Sequence, residues 1–244
     1  MTAVDDFMEL LRHGSVDLFA DNPDRMESGQ LLPSPNVIDP GDVELFFVGV
    51  DAGLITLERG ARFNTLDRPT ADGRWGLLSR SKAGGWYNAE YLPQLAAYVE
   101  AILKYEYPPS RVLFELPTKA LQLDLAIVDD KSRVIIAGEA KRSNASLTVL
   151  RERVQQRFAK EPPGEETKKR GDEARQLAWR LWTVSPEVTW LIGPGHREAY
   201  RTAIHPLRLD PIPELPHARA LGLDHEPSQP IAIPDLSGHG PPEP

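Results

Sequence analysis

Two carboxylates and a lysine stand close together in the middle of the chain, and their types could bind a metal ion and activate water. Asp124 lies in one apolar run, and Glu139 and Lys141 lie in the next run with one residue between them. Hard divalent cations such as Mg²⁺ are bound by carboxylate oxygens, and a bound metal lowers the pKa of its water. A lysine beside such a metal can orient or deprotonate the attacking water and counter developing negative charge. This combination is typical of phosphodiester hydrolysis.

The two runs are predicted to form a β-hairpin, with strand, turn and strand at Leu121–Val128, Asp129–Ser132 and Arg133–Lys141. Side chains alternate along a strand, so Glu139 and Lys141 share a face. Asp124 joins them only if directly opposed residues have numbers with an odd sum, and an even-numbered turn gives that parity. A bulge at Gly138 is a second way to reach it. Because both faces are otherwise apolar, the pattern predicts central strands that are buried on both sides.

A less specific interpretation of the same charges remains open. Asp124 could lie at a wet strand edge while Glu139 and Lys141 form a surface ion pair. Between buried strands, by contrast, unpaired charges cost several kcal/mol each, so they need a metal, one another or a solvent-filled cleft. The exposure of the three side chains separates the two interpretations.

Apolar spacing predicts the other elements. The N-terminal part is expected to hold a helix at Ala3–Arg12, then a hairpin of the strands Val43–Val50 and Leu54–Leu57, then a loop from Glu58 to Gly85 with basic and aromatic residues. The remaining predicted elements are a helix at Leu92–Tyr105, a strand at Arg111–Leu116, a helix capped by Ser143 or Asn144 that extends to Phe158, a helix at Glu166–Trp182 and a last strong strand at Val188–Ile192.

The end of the chain differs in composition from the rest. Ten of the 23 prolines fall between Pro206 and Pro244, which predicts an extended tail without a regular helix or central strand. We expect this tail to lie over the body or to reach a partner, and its last part to be disordered. The predicted domains are therefore an N-terminal α/β extension (1–85), a core (86–205) and a Pro-rich tail (206–244).

Composition narrows the class of protein. The absence of cysteine excludes disulfides, zinc–thiolate sites and cysteine nucleophiles. The net charge of -8 argues against a generally cationic nucleic-acid coat, but residues 141–180 hold eleven Lys and Arg against six Asp and Glu. No apolar run approaches membrane-spanning length, and the N-terminus lacks the order of a signal peptide, so a cytoplasmic protein is expected.

The predicted order of helix, three strands, helix and strand, with Asp124 in the second strand and Glu139-Ala140-Lys141 in the third, resembles the PD-(D/E)XK nuclease superfamily. The resemblance covers Leu92 to Ile192, and Leu123 stands where the motif has proline. It implies a restriction-endonuclease-like α/β fold, in which helices flank a mixed central sheet. It also implies Mg²⁺ or Mn²⁺ held by Asp124, Glu139 and the backbone carbonyl of Ala140.

The resemblance also suggests residues around that centre. Members often add a glutamate from the first helix, for which Glu100 is the candidate here. The candidate substrate-binding residues are mostly basic side chains after the motif: Arg142, Arg151, Lys168, Lys169, Arg170 and Gln176. A solvated helix face would explain the same basic residues.

The function expected from these features is metal-dependent cleavage of nucleic acid, with DNA favoured over RNA. Many relatives that cut duplexes act as dimers, so a homodimer is one expected assembly, and a protein partner that binds the C-terminal tail is another. The alternative is a catalytically inactive module of the same fold that binds nucleic acid or a protein within a larger defence or repair assembly.

Overall fold

The fold is that of a computed structural model, which describes residues 2–21, 31–68, 75–81, 84–117, 122–163 and 172–227. The chain divides into two compact units, Met1–Glu100 and Ala101–Pro244. The candidate residues Asp124, Glu139 and Lys141 all belong to the second unit.

The described part of the first unit combines helices with two small antiparallel hairpins. Its elements are α1 (Ala3–Leu18), α2 (Pro40–Asp51), β1 (Ile55–Glu58), β2 (Arg62–Thr65), β3 (Leu78–Ser81), β4 (Gly84–Tyr87) and α3 (Tyr91–Leu103), which continues into the second unit. A capping box starts α1: the side chains of Thr2 and Asp5 each accept a hydrogen bond from the other residue's backbone N–H. The helices predicted at 3–12 and 92–105 are confirmed, and α1 is longer than predicted.

The strand predicted at Val43–Val50 is wrong, because these residues belong to α2. Pro40 occupies the first turn of this helix, and the Asp39 side chain accepts a hydrogen bond from the Asp42 N–H at 3.0 Å. The β-branched and aromatic content of this segment favoured a strand, but burial at Val43 and Phe46 follows a helical spacing. Packing and capping therefore overrode local propensity.

The hairpin predicted from this segment is wrong for the same reason. The strand after α2 is confirmed as β1, but its partner is β2, in the register Ile55–Thr65 to Glu58–Arg62. The loop predicted from 58 to 85 contains β2, β3 and the start of β4. These strands are four residues long and rich in polar residues, so they lack the alternation that reveals a strand in sequence.

The described part of the second unit is built on a six-stranded mixed sheet. Its elements are β5 (Val112–Pro117), β6 (Gln122–Val128), β7 (Val134–Ala140), α4 (Asn144–Phe158), α5 (Glu173–Val184), β8 (Val188–Gly193), β9 (His196–Ala203) and β10 (Arg208–Ile212). The strand order is β10-β9-β8-β7-β6-β5, and every neighbouring pair is antiparallel except β7 and β8. The two helices between β7 and β8 provide the crossover that a parallel pair needs.

A hydrophobic core fills the space between one sheet face and the helices α4 and α5. It includes Ala126 and Ala137 from the sheet, Leu150 from α4, and Leu181 and Trp182 from α5. Every residue of β7 is buried, which confirms the predicted central strand. Ser143 caps α4 as expected, because its side chain accepts a hydrogen bond from the backbone N–H of the third helical residue.

The predicted odd sum of opposed residue numbers in the central hairpin is confirmed, but a different structural feature produces it. Leu125 pairs with Gly138 and Ile127 with Ile136, so opposed numbers have an odd sum. Next to the turn, however, Val128 pairs with Val134, which gives an even sum. A β-bulge between these pairs restores the odd parity, so neither the four-residue turn nor a bulge at Gly138 does so.

The chain beyond residue 205 departs from the predicted extended tail. Two strands, β9 and β10, follow Val188–Ile192, which was predicted to be the last strong strand. β10 forms the edge of the sheet, where a proline such as Pro211, which has no N–H, is tolerated. Further on, Leu215 and Leu223 are buried, and the Tyr107 hydroxyl donates to the Pro216 carbonyl at 2.6 Å. The tail therefore lies over its own unit as far as residue 227, and the disorder predicted at its end falls outside the described residues.

Candidate functional site

Asp124, Glu139 and Lys141 converge on one side of the β6–β7 hairpin. The Lys141 ammonium donates to Glu139 Oε1 at 2.9 Å, and the Ala140 N–H donates to Asp124 Oδ2 at 2.7 Å. Only 5% of the Glu139 side chain and 9% of the Lys141 side chain are exposed, and Asp124 is half-buried. Glu139 and Lys141 do form an ion pair, but the interpretation that places it at the surface is wrong.

The backbone at Ala140 completes this arrangement. The β6–β7 ladder ends at the Leu125–Gly138 pair, and beyond it the Ala140 N–H bonds the Asp124 side chain rather than a carbonyl of β6. The N–H and C=O of one residue in a strand face the same neighbour, so the Ala140 carbonyl also faces β6. Two carboxylates and a backbone carbonyl therefore border the same space.

Arg180 on α5 is a member of the site that sequence reasoning missed. Its Nη1 donates to Glu139 Oε2, so the two oxygens of Glu139 receive one cation each, Lys141 on one side and Arg180 on the other. Glu173 lies two turns before Arg180 on the same helix, and its carboxylate is 3.7 Å from the Lys141 ammonium. The spacing of residues 173, 176 and 180 could have indicated Arg180 from the sequence, because it places the three residues on one helix face.

Glu115 on β5 is the second residue that sequence reasoning missed. It lies between the Phe114–Leu125 and Leu116–Leu123 pairs, which places it across from Asp124. Glu115 is buried, its backbone has a φ of 49°, and the Gln122 amide donates to its Oε2 at 2.7 Å. A non-glycine residue with positive φ inside a strand is a strained conformation, and such strain is concentrated at functional sites.

Burial and the neighbouring charges shift the pKa values of the two central acids in opposite directions. Burial, followed by the charges of Glu139 and Glu115, raises the pKa of Asp124 well above its usual range. Burial alone would also raise the pKa of Glu139, but the charges of Arg180 and Lys141 outweigh burial and lower it. Burial opposes the charged form of Arg180, yet the neighbouring carboxylates raise its pKa. Glu139 is therefore held as an anion between two cations, and Asp124 is the more basic of the two carboxyl groups.

The donor set can be tested for a hard divalent cation. Asp124, Glu139 and the Ala140 carbonyl offer oxygen atoms, the ligand type that Mg²⁺ and Mn²⁺ prefer. In the part of the chain that the structure describes, no group of three or more His, Cys, Asp or Glu side chains forms a metal-binding cluster. The oxygen types of Asp124, Glu139 and the Ala140 carbonyl suit such an ion, which would need its other ligands from water or substrate.

The remaining predicted site residues have different surroundings. Arg142 is exposed directly after Lys141, and Gln176 is half-buried on α5, one turn before Arg180. Glu100 is half-buried on α3 and belongs to the first unit. The predicted basic triplet, Lys168, Lys169 and Arg170, lies outside the described residues.

Arg151 belongs to a separate polar cluster on the same face of the sheet. From α4, its Nη1 donates to Glu198 Oε2 at 3.2 Å and to the Tyr200 hydroxyl at 2.7 Å. The Tyr200 hydroxyl also donates to Glu198 Oε2, and His196 Nε2 lies 2.8 Å from Glu198 Oε1. The structure thus gives Arg151 intramolecular partners on β9, and its predicted contact with substrate stays a prediction.

Among the described residues, no helix combines the length and the apolar character that crossing a membrane requires. Comparisons with models of protein families, with curated proteins and with solved structures find nothing that matches this chain. The geometry and the electrostatics of the cluster around Glu139 are therefore the features that bear on function.

Proposed function

We propose that this protein is a metal-dependent nuclease that hydrolyses phosphodiester bonds, with DNA as the favoured substrate. One observation carries the proposal: Asp124, Glu139 and Lys141 converge, and Glu139 and Lys141 are buried. Buried charges that stability alone does not require are concentrated at functional sites, because isolating them from water is costly.

The arrangement of the elements supports a restriction-endonuclease-like fold as part of this proposal. The three acid-bearing strands, β5, β6 and β7, are neighbours in the sheet and consecutive in the chain. Helices then lead to β8, which lies parallel to β7. This order is the one on which the resemblance to the PD-(D/E)XK superfamily was based.

In the proposed mechanism, Asp124, Glu139 and the Ala140 carbonyl would hold Mg²⁺ or Mn²⁺. The bound ion would lower the pKa of a water ligand and stabilise charge on the phosphate. Asp124 would give up its proton as the metal binds, because a carboxyl group coordinates in its ionised form. Lys141, held by Glu139, would orient the attacking water and counter the negative charge that develops on the phosphate.

Cleavage assays test this function directly. The purified protein is incubated with single-stranded, duplex and structured DNA and RNA in the presence of Mg²⁺ or Mn²⁺, next to Lys141→Ala and Asp124→Ala. We expect cleavage by the wild type and loss of it in both variants. Failure to cut any of these substrates, or undiminished cleavage by the variants, would overturn the proposal.

A second candidate function is a catalytically inactive module that binds nucleic acid or a protein. The feature that favours it is the occupied state of Glu139, whose two oxygens already accept from Lys141 and Arg180. A titration with Mn²⁺ separates the candidates, because an ion that binds only the native state raises the melting temperature with its concentration. The nuclease should show this rise and lose it in Asp124→Ala, and the inactive module should show none.

A further inference from the structure

The guanidinium of Arg180 differs from a structural arginine in how few of its donors are used. An arginine carries five N–H donors on three nitrogens. Among the described residues, the hydrogen bond that engages Arg180 runs from Nη1 to Glu139 Oε2, so Nε and Nη2 have no acceptor there. Its side chain is nevertheless only 15% exposed. Neither nitrogen is among the buried polar atoms of the described chain that lack a partner, so both are accessible to an acceptor from outside it.

Arg111 in the same unit shows what a structural arginine looks like. It is fully buried, and all three of its nitrogens donate: Nε to the His225 carbonyl, Nη1 to the Val128 carbonyl and Nη2 to Asp130. Its donors are used within the fold. The Arg180 side chain is 15% exposed, and its two open donors are accessible to a ligand, whereas Arg111 has none to offer.

The position of Arg180 indicates what kind of acceptor would fit. Its Nη1 and the Lys141 ammonium bind opposite oxygens of Glu139, so two cations flank a single carboxylate. A phosphate bound next to Glu139 would therefore have two cations within reach, Lys141 and Arg180. A phosphate matches this arrangement, because a guanidinium can bind phosphate oxygens through two parallel N–H donors.

We propose that Arg180 binds the phosphate of the substrate: Nη1 holds Glu139, and the remaining donors bind a non-bridging phosphate oxygen. This inference rests on the proposed function, because it names the substrate contact of the same site. It makes Arg180 a substrate-binding residue, in addition to its contact with Glu139.

Binding measurements without cleavage test this role. A fluorescent duplex oligonucleotide is titrated in EDTA over a series of salt concentrations with wild type, Arg180→Gln, Arg180→Lys and the control Arg133→Gln. The control also removes one arginine charge, but from an ion pair with Asp129 next to the β6–β7 turn. Loss of one phosphate contact should reduce the slope of log affinity against log salt by about 0.9 in Arg180→Gln.

The other variants sharpen the result. Arg180→Lys should keep the wild-type slope but bind about tenfold more weakly, because an ammonium keeps the charge and loses the planar fork. Arg133→Gln should keep both slope and affinity. Arg180→Lys also serves as the test if Arg180→Gln does not fold.

Two outcomes would overturn the inference. An unchanged slope in Arg180→Gln, together with a smaller Mn²⁺-dependent rise in melting temperature, would mean that Arg180 only positions Glu139. A wild type that binds no nucleic acid at any salt concentration would overturn it as well. Failure of the nuclease proposal is distinguishable: a wild type that binds DNA with the expected Arg180 contribution but never cleaves retains the phosphate contact and lacks the activity.

Discussion

Two polar clusters lie on the same face of the same sheet, and each joins a strand glutamate to a helix arginine. At β9, the carboxylate of Glu198 accepts from Arg151 and Tyr200 and lies next to His196. At β7, Glu139 accepts from Arg180 and Lys141. The difference is in the neighbours: Asp124 and Glu115 lie beside Glu139, and burial, followed by the charges of Glu139 and Glu115, raises the pKa of Asp124.

The comparison shows which kind of ion pair requires a functional explanation. Burial would raise the pKa of Glu198, but hydrogen bonds from Tyr200 and His196 and the charge of Arg151 lower it. A single acid surrounded by donors stabilises the native state without any ligand. At β7, Asp124 is buried beside two other acids and keeps a raised pKa despite Lys141 and Arg180, so its ionised form costs stability unless a further cation binds. Under the proposed function, the β9 cluster therefore has a structural role and the β7 cluster a functional one.

The largest expected contrast between the clusters is in cleavage. Asp124→Asn should lower the cleavage rate by about 10³-fold, because it removes a metal-binding carboxylate and changes the volume of the side chain very little. Glu198→Gln should stay within about twofold of the wild type, since its cluster lies outside the proposed centre. Single-turnover rates with excess Mn²⁺ measure both. Equal losses in the two variants would remove the distinction between the clusters.

A second contrast concerns the free energy of unfolding. Glu139→Gln should lower it by about 3–5 kcal/mol, because Lys141 and Arg180 then lose the buried carboxylate that both of them bind. Glu198→Gln should lower it by about 1–2 kcal/mol, because Arg151 is more exposed and keeps the Tyr200 hydroxyl as a neighbour. Urea denaturation measures both values, and a larger loss at Glu198 would contradict the assignment.

Glu115 should affect metal binding without being a direct ligand. Glu115→Gln should weaken Mn²⁺ binding by about tenfold, the effect expected when a neighbour of a metal ligand is changed. The variant keeps an amide oxygen that can accept from Gln122, so the local hydrogen bond is maintained. Calorimetric titration with Mn²⁺ measures the change, with Glu198→Gln as the control. Unchanged affinity in Glu115→Gln would leave Glu115 with a purely structural role.

The smallest expected effect is a gain in stability in the absence of metal. The raised pKa of Asp124 means that its ionisation disfavours the native state, so Asp124→Asn should unfold at a higher temperature than the wild type at neutral pH. The gain should vanish in acid, where Asp124 is protonated in both the folded and the unfolded state. A variant that is more stable and inactive is the signature of a residue kept for function.

Replacement of Asp129, in the turn of the same hairpin, should change the stability at neutral pH in the opposite direction. Burial alone would raise its pKa, but backbone hydrogen bonds from Arg133 and Lys131 lower it, so its charge stabilises the native state at neutral pH. Asp129→Asn should therefore lower the melting temperature at neutral pH, and the deficit should disappear as the pH falls through the folded pKa. If Asp124→Asn and Asp129→Asn shift the melting temperature at neutral pH in the same direction, the raised pKa of Asp124 is contradicted.

The sequence specified the elements of the second unit better than those of the first. Long apolar runs with clear periods located β6, β7, β8 and α4, because burial on both faces leaves little choice of residue. The segment at Val43–Val50 was mistaken for a strand, since its β-branched and aromatic residues suit a strand as well as a helix. The cap at Asp39, outside the segment, favours the helix. The polar strands β9 and β10 were missed, because β9 is only partly buried and β10, the edge strand, contains a proline, so both have a weak pattern.

The sequence by itself determined that Asp124, Glu139 and Lys141 could share a face, because strand alternation is a local property of the backbone. Only the tertiary structure decided that they do, since a bulge rather than the turn sets the register. It also brought in Arg180 from α5 and Glu115 from β5. Contacts between elements that are distant in the chain depend on packing and strand order, which no local pattern encodes. These contacts place Arg180 and Glu115 next to the Glu139–Lys141 ion pair.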